Sequence, residues 1–149
     1  MVLRDLEDGD KEAHPPQQQS FRKGRRPLTD KLSVLIVDDD EIVGEMTALV
    51  LGHICPLGGI ILATSGEEAL TLCEKTSFDI VLCDFVLGFG MNGAETIRAI
   101  RMLRGSKVKL IGFSGSHDRF GDAPCTLMWS KPLPTPKRML ADLRGVGFN

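Results

Sequence analysis

The sequence lacks an excess of charge of either sign. Its 18 Lys and Arg stand against 20 Asp and Glu, a formal charge of −2, which argues against a whole-domain basic footprint for nucleic acid. It also lacks any apolar run near the roughly 18 residues needed to span a bilayer. Residues 1–10 are acidic and contain no apolar stretch of the kind that directs secretion. A location in the cytoplasm, with no membrane span, is the expectation. There is no C-x-x-C pair: Cys55, Cys73, Cys83 and Cys125 are scattered, three of them within apolar runs where a thiol behaves as a small hydrophobe. Neither a disulfide framework nor a zinc site is expected, and a reducing compartment suits them.

What is present suffices for one domain with a full core: 149 residues, 42% apolar and 26% charged. Residues 1–30 differ from the rest, with an acidic stretch, Pro15-Pro16, a Gln run and the basic cluster Arg22, Lys23, Arg25 and Arg26. Few large apolar side chains are available there to offset the entropy of ordering, so this segment reads as a disordered tail and residues 31–149 as the folded domain. The basic cluster reads as part of a solvated linker, with a nuclear address as the other reading.

From residue 31 onward, short apolar runs alternate with amphipathic stretches. Residues 33–37 (S-V-L-I-V) form a continuous apolar run ending in carboxylates, as expected of a strand buried on both faces. Residues 41–54 then place Ile42, Val43, Met46, Leu49, Val50 and Ile54 at three-to-four spacing, which predicts a helix. Pro56 and Gly58-Gly59 end that helix. A second strand is expected over 60–63, and a second helix over 66–75 with Ala69, Leu70, Leu72 and Cys73 inward. A third strand follows at 79–83, then a Gly-rich loop, then a helix over 94–103 with Ile97, Ile100 and Leu103 on one face. Strands at 107–113 and 126–129 follow, and a last helix begins at Thr135-Pro136 and ends by Gly145. Short-linked alternation of this kind means right-handed βαβ units: a doubly wound α/β fold with a five-stranded parallel sheet.

In such sheets ligands bind beyond the carboxyl ends of the strands, so the residues after each strand carry the functional reading. The first strand ends in Asp38-Asp39-Asp40-Glu41, the third in Asp84, the fourth in Ser114 and the fifth in Lys131-Pro132. Crowded carboxylates raise one another's pKa unless a cation joins them, and Mg²⁺ is a hard ion suited to oxygen ligands that also bridges carboxylate to phosphate. Asp84, kept ionised by metal and by the Lys131 ammonium, has the chemistry to attack phosphorus and form an acyl phosphate. The Ser114 hydroxyl would donate to a phosphoryl oxygen, with Lys131 and Mg²⁺ offsetting charge on the transferring group. Asp40 and Glu41 read instead as the cap and first turn of the following helix.

The segments V-L-I-V-D-D-D, D-I-V-L-C-D-F-V-L-G, L-I-G-F-S-G and S-K-P-L, with A-T-S-G-E-E-A-L between the first two, resemble the signature segments of response-regulator receiver domains over about residues 32–147. The resemblance implies a flavodoxin-like sheet of order 2-1-3-4-5 and a phosphoacceptor at Asp84. It implies metal contact from Asp39 directly and Asp38 through water, and a further metal ligand in the Val86 carbonyl. Ser114 takes the place of the switch hydroxyl, Lys131 that of the family lysine, and the Lys131–Pro132 bond is expected to be cis. The donor would be a histidine kinase or a histidine phosphotransfer protein, and the domain would be a switch rather than an enzyme, catalysing at most its own phosphorylation and dephosphorylation.

The chain departs from that pattern in three places. The stretch from Asp84 to Gly93 is one residue longer than is common, with Gly88 where proline is frequent. The position of the switch aromatic is Met128, with Trp129 on the opposite face of the strand. Only seventeen positions separate Ser114 from Lys131, and Gly121 and Pro124 interrupt them, so a short or missing fourth helix is expected over 116–125. Two other functions fit parts of the sequence. One is a phosphate-independent interaction module on the same fold. The other is a phosphatase of the haloacid-dehalogenase type, with Asp38 as nucleophile and Asp40 as acid, although no acidic pair follows Lys131.

Overall fold

The computed structural model describes residues 2–5, 27 and 30–148. The strands are β1 (Val2–Asp5), β2 (Leu32–Val37), β3 (Leu57–Ala63), β4 (Ile80–Asp84), β5 (Lys109–Ser114) and β6 (Leu127–Ser130). Four α-helices occur among the described residues: α1 (Glu41–Ile54), α2 (Gly66–Lys75), α3 (Gly93–Arg104) and α4 (Pro136–Gly145). The sheet runs β1-β3-β2-β4-β5-β6. Strands β2 to β6 are parallel and, counted among themselves, follow the expected order 2-1-3-4-5.

The central strands are apolar along most of their length because helices cover both faces. Successive residues of β2 point to opposite sides: Val34 and Ile36 join one core with Ala48 and Leu51 of α1 and Met139 and Leu143 of α4. Leu35 and Val37 join the other, with Ala69 and Cys73 of α2 and Ile97 and Ile100 of α3. The in-register ladder Val37↔Cys83 and Asp84↔Phe113 brings the carboxyl ends of β2, β4 and β5 to one edge.

Helix boundaries follow their capping chemistry. Asp40 accepts from the Ile42 and Val43 amides at the start of α1, Ser65 from Glu68 at α2, and Asn92 and Glu95 close a reciprocal capping box at α3. Thr135 caps α4, with Pro136 in its first turn, as its sequence implies.

Several elements differ from the sequence reading. The apolar positions of α1 divide: Ile42, Met46 and Leu49 are 69%, 61% and 65% exposed, Val50 and Ile54 pack against the core, and Gly44, Thr47, Ala48 and Leu51 are buried. A Cβ on Gly44 would stand 3.3 Å from the Leu62 side chain, so the helix approaches the sheet through its small-residue face. In α3, Ile97 and Ile100 are buried, but Leu103 in the last turn is exposed. Strand β3 starts three residues before the expected 60, through Gly58-Gly59, where Lys31 lies close enough to crowd a side chain at Gly58.

Within the span read as a disordered tail, Val2–Asp5 is placed as an edge strand antiparallel to β3, pairing Val2 with Ile61 and Asp5 with Gly59. The basic cluster at 22–26 lies outside the described residues. Between β5 and β6 there is no α-helix, only a 3₁₀ turn at His117–Phe120, in line with the expectation for that segment. Gly121 adopts φ 54° there, and Phe120, 1% exposed, plugs the core in place of a helix. No helix among the described residues is long and apolar enough to cross a membrane.

Candidate functional site

The site forms where β2, β4 and β5 end. Asp38 follows β2 directly, Asp84 is the last residue of β4 and Ser114 the last of β5. All three are buried. Lys131 follows β6, its amide donating to the Ser114 carbonyl, and its bond to Pro132 is cis. The Lys131 ammonium donates to Asp84 Oδ2 at 2.7 Å and stands 3.8 Å from Asp38 Oδ2. The ammonium also lies over the Phe113 ring, with Nζ 4.8 Å from the centroid. Asp39 is exposed at the mouth, with Oδ2 3.7 Å from where a Cβ on Gly88 would stand. The sequence reading therefore placed Asp38, Asp39, Asp84, Ser114 and Lys131 on one sheet edge, and the structure brings them together.

Asp38, Asp39 and Asp84 each turn a carboxylate oxygen to within 4.8 Å of the others. This arrangement is costly without a cation. The Asp38 carboxyl is pushed up to about 6, first by burial and then by the neighbouring Asp84 charge, against the opposing pull of the Asp40 amide and Lys131. Three convergent hard oxygens fit a divalent cation such as Mg²⁺.

The loop after Asp84 is tied down at both ends. The Phe85 amide donates to the Phe113 carbonyl, and the Gly93 amide to the Phe85 carbonyl at 2.8 Å. The Val86 amide reaches Asp84 Oδ1 at 3.4 Å. A side chain at Gly93 would collide with the Asp84 carbonyl and stand 2.6 Å from Phe85 Cα, so only glycine lets α3 begin this close to the acidic strand end. Glu67 of α2 accepts from the Met91 amide at 2.8 Å, which sets its carboxyl below the usual range.

The Ser114 hydroxyl oxygen accepts from the Ser116 amide at 3.2 Å, leaving its own proton for an acceptor in the cleft. That cleft, of about 390 Å³, is lined by Asp84, Val86, Ser114, Ser116, Arg119 and Lys131 among others. Two residues here escape a reading of the sequence. Glu67 sits in an ordinary helix first turn, and Arg119 in a segment without periodicity. Neither position carries a signal that its side chain reaches the loop or the cleft. Trp129 lies on the face opposite Met128 as expected: it is buried in the core with α4, its indole donating to Asp142 at 3.0 Å.

Comparison with known proteins bears on what this edge is for. Residues 34–124 match the family model of the response regulator receiver domain. Over 92 residues the chain is 35% identical to the positive alginate biosynthesis regulatory protein of Pseudomonas aeruginosa; the match covers 60% of this chain and 35% of that protein. The chain thus spans about a third of the length of that curated relative. Among solved structures, a CheY-like response regulator receiver domain protein from Methanospirillum hungatei is 26% identical, with a TM-score of 0.66 over 78% of this chain and 93% of that one. Chemotaxis protein CheY4 of Vibrio cholerae, at 24% identity, shares the fold with a TM-score of 0.66 over 78% and 99% of the two chains. With the acidic edge, the parallel order and a family match over more than half its length, the chain belongs to the response regulator receiver domain family.

Proposed function

We propose that this domain accepts a phosphoryl group from a phosphohistidine onto Asp84, in a reaction that depends on Mg²⁺, and thereby acts as a switch in a phosphorelay. The observation that carries this reading is the 2.7 Å contact between Lys131 and a buried Asp84 at the centre of three convergent carboxylates. An Asp84 oxygen attacks phosphorus and the P–N bond breaks. The electron pair returns to the ring nitrogen, and the imidazole leaves neutral because its other nitrogen keeps a proton. Lys131 offsets charge on the phosphoryl oxygens, and Ser114 donates its free hydroxyl proton to one of them. Asp38, Asp39 and Asp84, with the Val86 carbonyl, are the residues that would hold the cation. When bound, that cation supplies charge neutralisation of the transferring group.

The surroundings suit a protein donor. Ile42, Met46 and Leu49 line the outer face of α1, which starts beside Asp38–Asp40, and Val86 and Phe89 are exposed on the loop after Asp84. Exposed apolar side chains around an acidic centre fit a helical histidine kinase or histidine phosphotransfer protein. Asp40 is occupied as the α1 cap, which disfavours the dehalogenase-type reading with Asp40 as acid. A second reading, a phosphate-independent module, draws on Met128 at the switch position and the absent fourth helix.

The test is incubation with acetyl phosphate and Mg²⁺, followed by intact mass measurement. A phosphoryl adduct that is lost with EDTA and absent from Asp84→Ala is the expected result. Absence of an adduct with acetyl phosphate and with a phosphohistidine donor, in folded protein, moves the assignment to the phosphate-independent module.

A further inference from the structure

The segment that replaces the fourth helix brings a second cation to the acceptor cleft. Arg119 lies in the 3₁₀ turn at His117–Phe120 and lines the same cleft as Asp84, Ser114 and Lys131. Its guanidinium carbon rests 5.7 Å from the centroid of the Phe85 ring, and Phe85 follows Asp84 directly. Among the described residues it makes no ion pair with a carboxylate, unlike Arg98 and Arg138. The other side of this arrangement is anchored: Phe120 is buried and meets the Phe85 ring edge-on at 5.4 Å and 81°. The turn also hangs from the site through the backbone. The Ser116 amide donates to Ser114 Oγ at 3.2 Å, and the Arg119 amide donates to the Ser116 carbonyl.

We propose that Arg119 is a phosphoryl ligand in this domain, and that its turn, with Phe120 and Phe85, reports the state of Asp84. The inference rests on the Asp84 acceptor reading and extends it to the residue that senses the product. A cation–π contact from an exposed guanidinium to the half-buried Phe85 ring is weak. A phosphoryl group brings roughly two negative charges and three acceptor oxygens into the cleft, and a guanidinium engages such oxygens in forked, charge-assisted pairs. The guanidinium therefore exchanges a weak partner for a strong one when Asp84 is modified. Because the Phe85 ring contacts both Arg119 and Phe120, leaving the ring also changes the packing of the turn. The strand position opposite Ser114's neighbours offers only Met128, half-buried beside Gly112 and without a polar handle, so the turn is the element through which occupancy can alter the surface.

Beryllofluoride, which occupies an aspartyl carboxylate in place of a phosphoryl group, provides the probe, with Mg²⁺ present. Its affinity is measured by ¹⁹F NMR for the wild type, Arg119→Ala and Arg119→Gln, alongside amide spectra of residues 116–120. Arg119 is exposed, so both variants are expected to keep the wild-type urea midpoint. Loss of one charge-assisted contact at an open site should weaken affinity by about tenfold. It should also abolish the probe-induced shifts of residues 118–120 while leaving those at Ser116, which is hydrogen-bonded to Ser114, and at Lys131. Equal affinity and equal turn shifts in all three proteins would overturn the role of Arg119 and leave the acceptor reading standing. No binding to the wild type would remove the acceptor reading and this inference together.

Discussion

Replacing Asp38 by asparagine should make the metal-free protein more stable at neutral pH, although the residue belongs to the proposed site. Burial and the Asp84 charge raise its carboxyl from 3.8 to about 6. A raised carboxyl means that the folded protein holds a proton that the unfolded chain has already released. The associated stability is complete below about pH 4 and is lost as pH rises through 6. At about 1.4 kcal/mol for each tenfold change in proton affinity, the ceiling is about 3 kcal/mol. The site opens to solvent, and the neighbouring Lys131 side chain is 34% exposed, so screening lowers the expected gain to about 1–2 kcal/mol. The side-chain amide oxygen in Asp38→Asn can still accept from the Asp40 amide, which donates to Asp38 Oδ1 at 2.9 Å in the native chain. Urea unfolding in EDTA at pH 4 and pH 7.5 measures the difference. The variant should match the wild type at about pH 4 and exceed it by about 1–2 kcal/mol, on the order of tenfold in the folding equilibrium, at about pH 7.5. Added Mg²⁺ should then stabilise the wild type and leave the variant nearly unmoved. A variant that is less stable at pH 7.5 without metal, or a gap that ignores pH, would refute the argument from carboxylate crowding.

Other outcomes follow from individual contacts. Gly93→Ala forces a methyl into the Asp84–Phe85 backbone and should cost about 3 kcal/mol in urea unfolding; a cost below about 1 kcal/mol would show that the loop relaxes freely. Phe120→Ala removes the plug beneath the 3₁₀ turn and should cost about 3–5 kcal/mol, again read by urea unfolding. The pair Ile42→Ser and Met46→Ser alters exposed side chains, so the urea midpoint should stay within about 0.5 kcal/mol of the wild type. Phosphotransfer from a protein donor should slow while labelling by acetyl phosphate does not; equal rates from both donors would remove the docking role of α1.

The parallel strands were legible because each is buried on both faces and so reads as an apolar run, and because carboxylates or polar residues mark where it leaves the core. The same feature exposed the site: Asp38, Asp39, Asp84, Ser114 and Lys131 all stand at or just past strand ends. The absent fourth helix was legible in Gly121 and Pro124. The inward face of α1 was not. Two stripes coexist on that helix, and hydrophobicity favours Ile42, Met46 and Leu49, whereas close packing on Leu62 favours Gly44 and Ala48. Strand β1 was missed because four residues within a polar segment carry too little period to register. Glu67 meets a loop amide and Arg119 lines a cleft that only the folded chain assembles.

The central claim is that Asp84 carries the phosphoryl group. The most direct test traps the acyl phosphate: protein treated with acetyl phosphate and Mg²⁺ is reduced with borohydride, digested and mapped by peptide mass. Homoserine at position 84, absent when Mg²⁺ is withheld, is the result this account predicts. Reduction at Asp38 or Asp39 instead, or an unmodified Asp84 in protein that has gained a phosphoryl mass, would contradict it.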